Sequence, residues 1–151
     1  MPTGWDEWGA RLRQELGDLG EDSILVVETV VERKDEPRGR WWKRSRREPA
    51  SDEHLIQLAG GPDGSLLALI TGSRLVGGPH DVEHAAHDAV VAAGWTQPGD
   101  DEHPYDGGGD YARWSRLRDG AALDSLVQAA MVALHALGAR PDQEWRWNRV
   151  Q

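Results

Sequence analysis

Residues 79–98 read PHDVEHAAHDAVVAAGWTQP, and the fold turns on how this stretch is read. Val82, Ala85, Ala86, Ala89, Val90 and Ala93 recur at helical spacing on one arc, and the charged residues fall opposite. Gly94 comes where a helix ends in a left-handed residue, a conformation that glycine adopts without a Cβ clash. Trp95 then lies just past the helix end, able to fold back onto the apolar stripe, and a proline follows at 98. The expectation is a short middle helix locked by a Gly-Trp corner against a hairpin sheet.

Toward the N-terminus, His54–Ala59 and Ser65–Thr71 are short apolar runs on either side of Gly60-Gly61-Pro62-Asp63-Gly64. Proline presets the first turn position, Asp suits the next and Gly64 supplies a positive φ, so the pair reads as a β-hairpin. Ser23–Glu32 is β-branched and almost continuously apolar through Val27, which predicts a central strand covered on both faces. Trp5, Trp8, Leu12, Leu16 and Leu19 recur at helical spacing, and Thr3 with Asp6 resembles a capping box, so a helix is expected over Thr3–Leu19. Toward the C-terminus, Gln97–Asp110 is an acidic, Gly-rich loop and Tyr111–Leu117 a short strand. Asp119 can cap a helix with the stripe Leu123, Leu126, Val127, Ala130, Met131, Leu134 and Leu137, ended by Gly138. Glu144–Val150 alternates Trp145 and Trp147 with Arg146 and Asn148, as a terminal edge strand does. The expected fold class is α+β over one domain, 1–151, with a largely antiparallel sheet built around the hairpin and N-terminal, middle and C-terminal helices.

Composition narrows the function. At 151 residues the chain can bury about two-thirds of its unfolded surface. It holds eight Trp and no Phe, so Trp supplies much of the aromatic packing. With no Cys, a disulfide framework, a thiol nucleophile and cysteine-ligated zinc are excluded. No apolar run approaches the roughly 20 residues of a membrane span. The N-terminus lacks a basic leader with an apolar core, so the expected location is cytoplasmic. A formal charge of −9 argues against general nucleic-acid binding, because phosphate affinity comes from positive charge.

Three clusters invite a functional reading. His80, His84, His87 and Asp88 are expected to share one helical face, where imidazoles and a carboxylate can in principle converge on a metal. The His84-Ala-Ala-His87 spacing is too short for the zinc-protease motif, and the plainer reading is a solvated polar face. Arg33, Lys34, Arg38, Arg40, Lys43, Arg44, Arg46 and Arg47 surround Trp41-Trp42. Basic residues interleaved with aromatics suit single-stranded nucleic acid, an acidic peptide, or a solvated loop, and residues 33–53 read equally as a mobile loop or as a strand over Arg40–Arg47. Asp100, Asp101, Glu102, Asp106 and Asp110 around Gly107–Gly109 do not match a calcium loop. No serine sits in a nucleophile elbow, and Glu28 is a lone carboxylate without a partner, so the chain does not read as an enzyme.

The series HLIQLAGGPDGSLLALITGSRLVGG, a helix, AAGWTQP, an acidic loop and a long amphipathic helix resembles the TY-Chap group. These are actinobacterial relatives of type III secretion chaperones and of the YbjN family. The features that carry the resemblance are the hairpin Leu55–Ile70, Gly94-Trp95 followed by Pro98, and the Trp5/Trp8/Leu12/Leu16 helix. It implies a chaperone-like fold that binds peptide segments of other proteins, without catalysis or cofactor and with a homodimer as the expected assembly. The basic Arg33–Arg47 insertion and the Trp145/Trp147 tail depart from the group. Trp41, Trp42, Trp145 and Trp147 are the expected anchors for a protein or peptide client, with Arg44, Arg46 and Arg47 selecting acidic character. The alternative is single-stranded nucleic-acid binding through the same basic segment.

Overall fold

The computed structural model describes residues 4–30, 53–76, 78, 80–96 and 110–150. In chain order these form α1 (Trp5–Gly17), β1 (Ile24–Thr29), β2 (Leu55–Gly60), β3 (Ser65–Thr71), α2 (His84–Ala92), β4 (Asp110–Arg116), α3 (Gly120–Ala136) and β5 (Trp145–Val150). The strands make one sheet in the order β4-β3-β2-β1-β5, antiparallel at every neighbour. One face carries the core: Leu25, Val27, Ile56, Leu58, Leu66, Ala68, Ile70 and Tyr111 bury with Trp8 and Leu12 of α1, Val90 of α2 and Leu126 and Leu134 of α3. The α+β architecture expected from the sequence is the one observed.

Strand β1 departs from its expectation of two covered faces. Leu25 and Val27 are fully buried, whereas Ile24, Val26 and Glu28 are only half-buried. The register explains why it nonetheless reads apolar throughout. Ile24 stands in a row with Val150, Ala59, Leu67 and Trp114 that crosses all five strands on the face away from the helices. Both faces favour apolar side chains, and among the described residues helices pack on only one.

The hairpin pairs Ile56 with Ile70 and Leu58 with Ala68. Its turn is a short 3-10 segment, Pro62–Gly64, in which Asp63 as well as Gly64 is left-handed (φ 60 and 75). Asp tolerates this conformation better than most residues because its short polar side chain bonds locally.

Helix α1 begins at Trp5, with Gly4 as its N-cap at φ 106 and no side-chain cap. The expected capping box is therefore not the observed start, and Thr3 lies outside the described residues. Asp119 does cap α3, accepting the Ala122 N–H at 3.1 Å.

At the end of α2, Gly94 takes φ 97. The Gly94 N–H donates to the Val91 carbonyl at 3.0 Å and the Trp95 N–H to Val90 at 3.4 Å, the paired bonds that close a helix on a left-handed residue. Trp95 is 1% exposed, and its indole N–H donates to the Ala129 carbonyl of α3 at 3.0 Å. Thr96 exchanges two backbone bonds with Ala112 of β4, each 2.8 Å. The corner thus fastens α2 to α3 and to β4, the strand that pairs with β3 of the hairpin. Of the expected arc, Ala85 is exposed and Val90 alone is fully buried within the helix.

Replacing Trp95 by Ala is expected to cost about 3–5 kcal/mol in urea unfolding, as for other buried Trp truncations. Trp95→Phe keeps most of the apolar area and loses the Ala129 bond, so it should cost nearer about 1–3 kcal/mol.

Candidate functional site

Backbone parity identifies the open edge of the sheet. The Thr29 N–H donates to His54 of β2, and the Val30 N–H donates to Glu144 beside β5, both at 2.9 Å. Even-numbered residues of β1 therefore face β5, and on β5 the even-numbered residues face β1. The N–H and C=O groups of Trp145, Trp147 and Arg149 consequently point away from the sheet, and no described residue pairs with them. The opposite edge is partly closed, since the outward groups of Ala112 on β4 are taken by Thr96.

The β5 edge is held rigid by aromatic packing. Trp145 and Trp147 are half-buried on the helix-bearing face, opposite Thr29 and Val27. Trp8 of α1 meets Trp145 at 5.4 Å and Trp147 at 5.6 Å between ring centroids, and Trp5 lies edge-on to Trp8 at 5.3 Å. The Arg11 guanidinium sits 4.5 Å over the Trp147 ring, a cation–π contact. Arg149 donates to Glu15 of α1 at 2.6 Å. The Trp145 indole N–H donates to the Arg140 carbonyl at 3.1 Å. The two tryptophans thus tie β5 to α1 and leave the outward backbone edge of β5 open.

The other expected anchors, Trp41, Trp42, Arg44, Arg46 and Arg47, lie outside the described residues, as does most of the acidic loop before Asp110. Val30, the last described residue before that basic segment, is bonded to Glu144, next to the start of β5. Glu28, expected to lack a partner, faces Arg146 across the strand pair at 3.6 Å and is half-exposed, so it is no isolated buried acid.

The histidines fall elsewhere than the sequence suggested. His80 precedes α2, is 1% exposed, and forms a parallel bridge with Ser73. Its ring stacks on His54 at 4.4 Å with 16° between planes. His87 is half-buried, and its Nδ1 shares a 2.8 Å hydrogen bond with the Tyr111 hydroxyl, which also bonds Ser73 Oγ at 2.8 Å. Of His80, His84 and His87, only His84 is exposed. The shared helical face of His80, His84 and His87 is therefore incorrect, because the helix begins four residues after His80. Among the described residues no group of three or more His, Asp or Glu is placed to hold a metal ion. Burial, and then the charge of His80, push His54 from 6.5 down to about 3. The sequence shows His54 only as the first residue of the apolar run, although it shares the inward parity of Ile56 and Leu58.

At the start of β4, burial lifts Asp110 from 3.8 to about 6. An open cleft of about 470 Å³ near the end of β4 is lined by Glu21, Asp63, Gly64, Arg116, Arg118 and Asp119, with charges of both signs and no converging set. Among the described residues no helix is long and apolar enough to cross a membrane.

Residues 1–143 match the family TY-Chap3, described as T3SS (YopN, CesT) and YbjN peptide-binding chaperone 3. The chain belongs to this family of peptide-binding chaperones. No curated protein and no solved structure matches it.

Asp110 gives a pH prediction of definite sign. Its folded-state value lies above its unfolded value, so above pH 6 the folded protein carries a charge it disfavours, and below about pH 4 that cost is gone. Asp110→Asn is expected to stabilise the protein at pH 7 by about 1 kcal/mol, discounted for partial exposure, and to be neutral at about pH 3.5. Urea midpoints at the two pH values measure the difference.

Proposed function

We propose that this member of the peptide-binding chaperone family captures an extended segment of a client protein as a sixth strand along β5. The observation that carries the reading is the row of outward N–H and C=O groups at Trp145, Trp147 and Arg149, unpaired among the described residues and backed by a packed tryptophan wall. Main-chain bonds supply affinity that is indifferent to sequence, and alternate side chains of the client lie on the helix-bearing face or on the opposite one. The β4 edge is the poorer candidate, since Thr96 already occupies part of it.

In this reading the protein is a non-catalytic, cytoplasmic binding module. Trp145 and Trp147 are the described anchors, and Trp41, Trp42, Arg44, Arg46 and Arg47, which follow Val30 in the chain, contribute as well. An unpaired edge strand is also where two copies of a chain pair most readily, so a homodimer would use the same groups and compete with client capture.

A display library of random 12-residue peptides supplies the probe, with binding of selected peptides read by fluorescence anisotropy. Arg149→Pro and Arg149→Ala both lose the Glu15 ion pair, but only the proline also removes the outward N–H. Arg149→Pro is expected to weaken capture at least about tenfold beyond Arg149→Ala, the worth of one main-chain bond and its register. Failure to select any peptide, or equal binding by the two variants, contradicts the reading. Trp41→Ala with Trp42→Ala should weaken the same peptides while leaving the far-ultraviolet circular dichroism unchanged; undiminished binding removes those two residues from the site.

A further inference from the structure

The buried histidines have no part in peptide capture along β5, yet they occupy the joint between the sheet and the least firmly docked helix. His54 is 2% exposed. Its backbone is fixed at both ends: its carbonyl accepts from the Thr29 N–H at 2.9 Å, and its N–H donates to Thr29 Oγ1 at 2.8 Å. Its Nδ1 is buried without a hydrogen-bond partner. The His80 ring lies flat against it, and the His80 N–H donates to Gly72 at 3.3 Å, so this contact pins the connection between β3 and α2 to the end of β2. Helix α2 itself buries only Val90 fully, against eight buried residues in α3 and five in α1. Its C-terminal end is held by Trp95 on Ala129, with left-handed Gly94 between them as a hinge.

We infer that the stacked His54–His80 pair is an acid-operated latch, whose protonation releases the β3–α2 connection and lets α2 swing about Gly94 while the sheet, α1 and α3 stay folded. A charge on His54 has to be held in a dry site, with the His80 ring stacked 4.4 Å away. Among the described residues, the other titratable groups around this joint are Tyr111 and Asp110 on β4, His87 on α2, Glu53 beside His54 in the chain and Asp81 beside His80. Tyr111 cannot relieve that charge by ionising, since burial raises its hydroxyl above 10.0. His87 bonds the Tyr111 hydroxyl through Nδ1, away from the stacked pair. Asp110 acts in the opposite direction on global stability, which is why the latch has to be read locally.

The sign follows from the lowered folded-state value of His54. Stability of the closed latch is complete above 6.5 and is lost progressively as pH falls toward about 3. The test is hydrogen exchange by mass spectrometry on the full chain from about pH 7.5 to about pH 4.5, corrected for the intrinsic rate at each pH. Below the ordinary histidine value the opening constant of amides in α2 is expected to rise about tenfold per pH unit for each proton taken up, while α3 stays flat. His54→Phe keeps a ring against His80 and cannot ionise, so it should lower this slope, as should His80→Phe; His87→Gln should leave it in place. Parallel behaviour of α2 and α3 in the wild-type chain overturns the latch whether or not the variants fold. A slope unchanged in both Phe variants overturns it too.

Discussion

Three consecutive residues, Gly94, Trp95 and Thr96, tie together elements that otherwise have little reason to meet. The positive φ of Gly94 turns the chain out of α2, the Trp95 indole reaches a backbone carbonyl of α3, and Thr96 pairs with the middle of β4. The carbonyl at Ala129 lies within α3, so the Trp95 bond adds a second acceptance by that group. This corner decides where α2 sits, which end of α2 is free, and which edge of the sheet is obstructed. The helix is short and built largely of alanine, so its own buried area would not hold it in place.

The obstruction at β4 makes the two edges of the sheet unequal. A five-stranded antiparallel sheet has two edges, and an unprotected edge recruits other chains. One edge is partly occupied by Thr96. At the other, α1 and β5 meet through four tryptophans and two arginines, which stiffen the strand without covering its outward backbone groups. A stiff edge loses little conformational entropy when a partner strand is added, and that is the property a peptide-capturing protein needs. Charged Arg146 and Arg149 on the same strand oppose indiscriminate edge-to-edge aggregation.

Much of this arrangement is legible in the sequence because local chemistry and tertiary demand agree. The Gly-Pro-Asp-Gly turn, the Asp119 cap, the Gly94 and Gly138 helix ends and the alternating Trp145/Trp147 strand all form where the pattern places them. Failures occur where the answer depends on which partner a residue meets. Ile24 and Val26 signal burial equally well whether the second face is covered by a helix or by neighbours in an apolar row. Histidine spacing reads as a helical face only if the helix has begun, and α2 starts after His80. The packing of Trp145 and Trp147 against Trp8 is another such case, since no local pattern shows which ring they meet.

The most direct measurement is residue-resolved amide exchange by nuclear magnetic resonance, with and without a selected peptide. If a client strand adds to β5, the amides of Trp145, Trp147 and Arg149 slow on binding, and those of Arg146 and Asn148, already facing β1, do not change. Slowing confined to Trp114 and Arg116 on β4, or to the helices, would contradict the account.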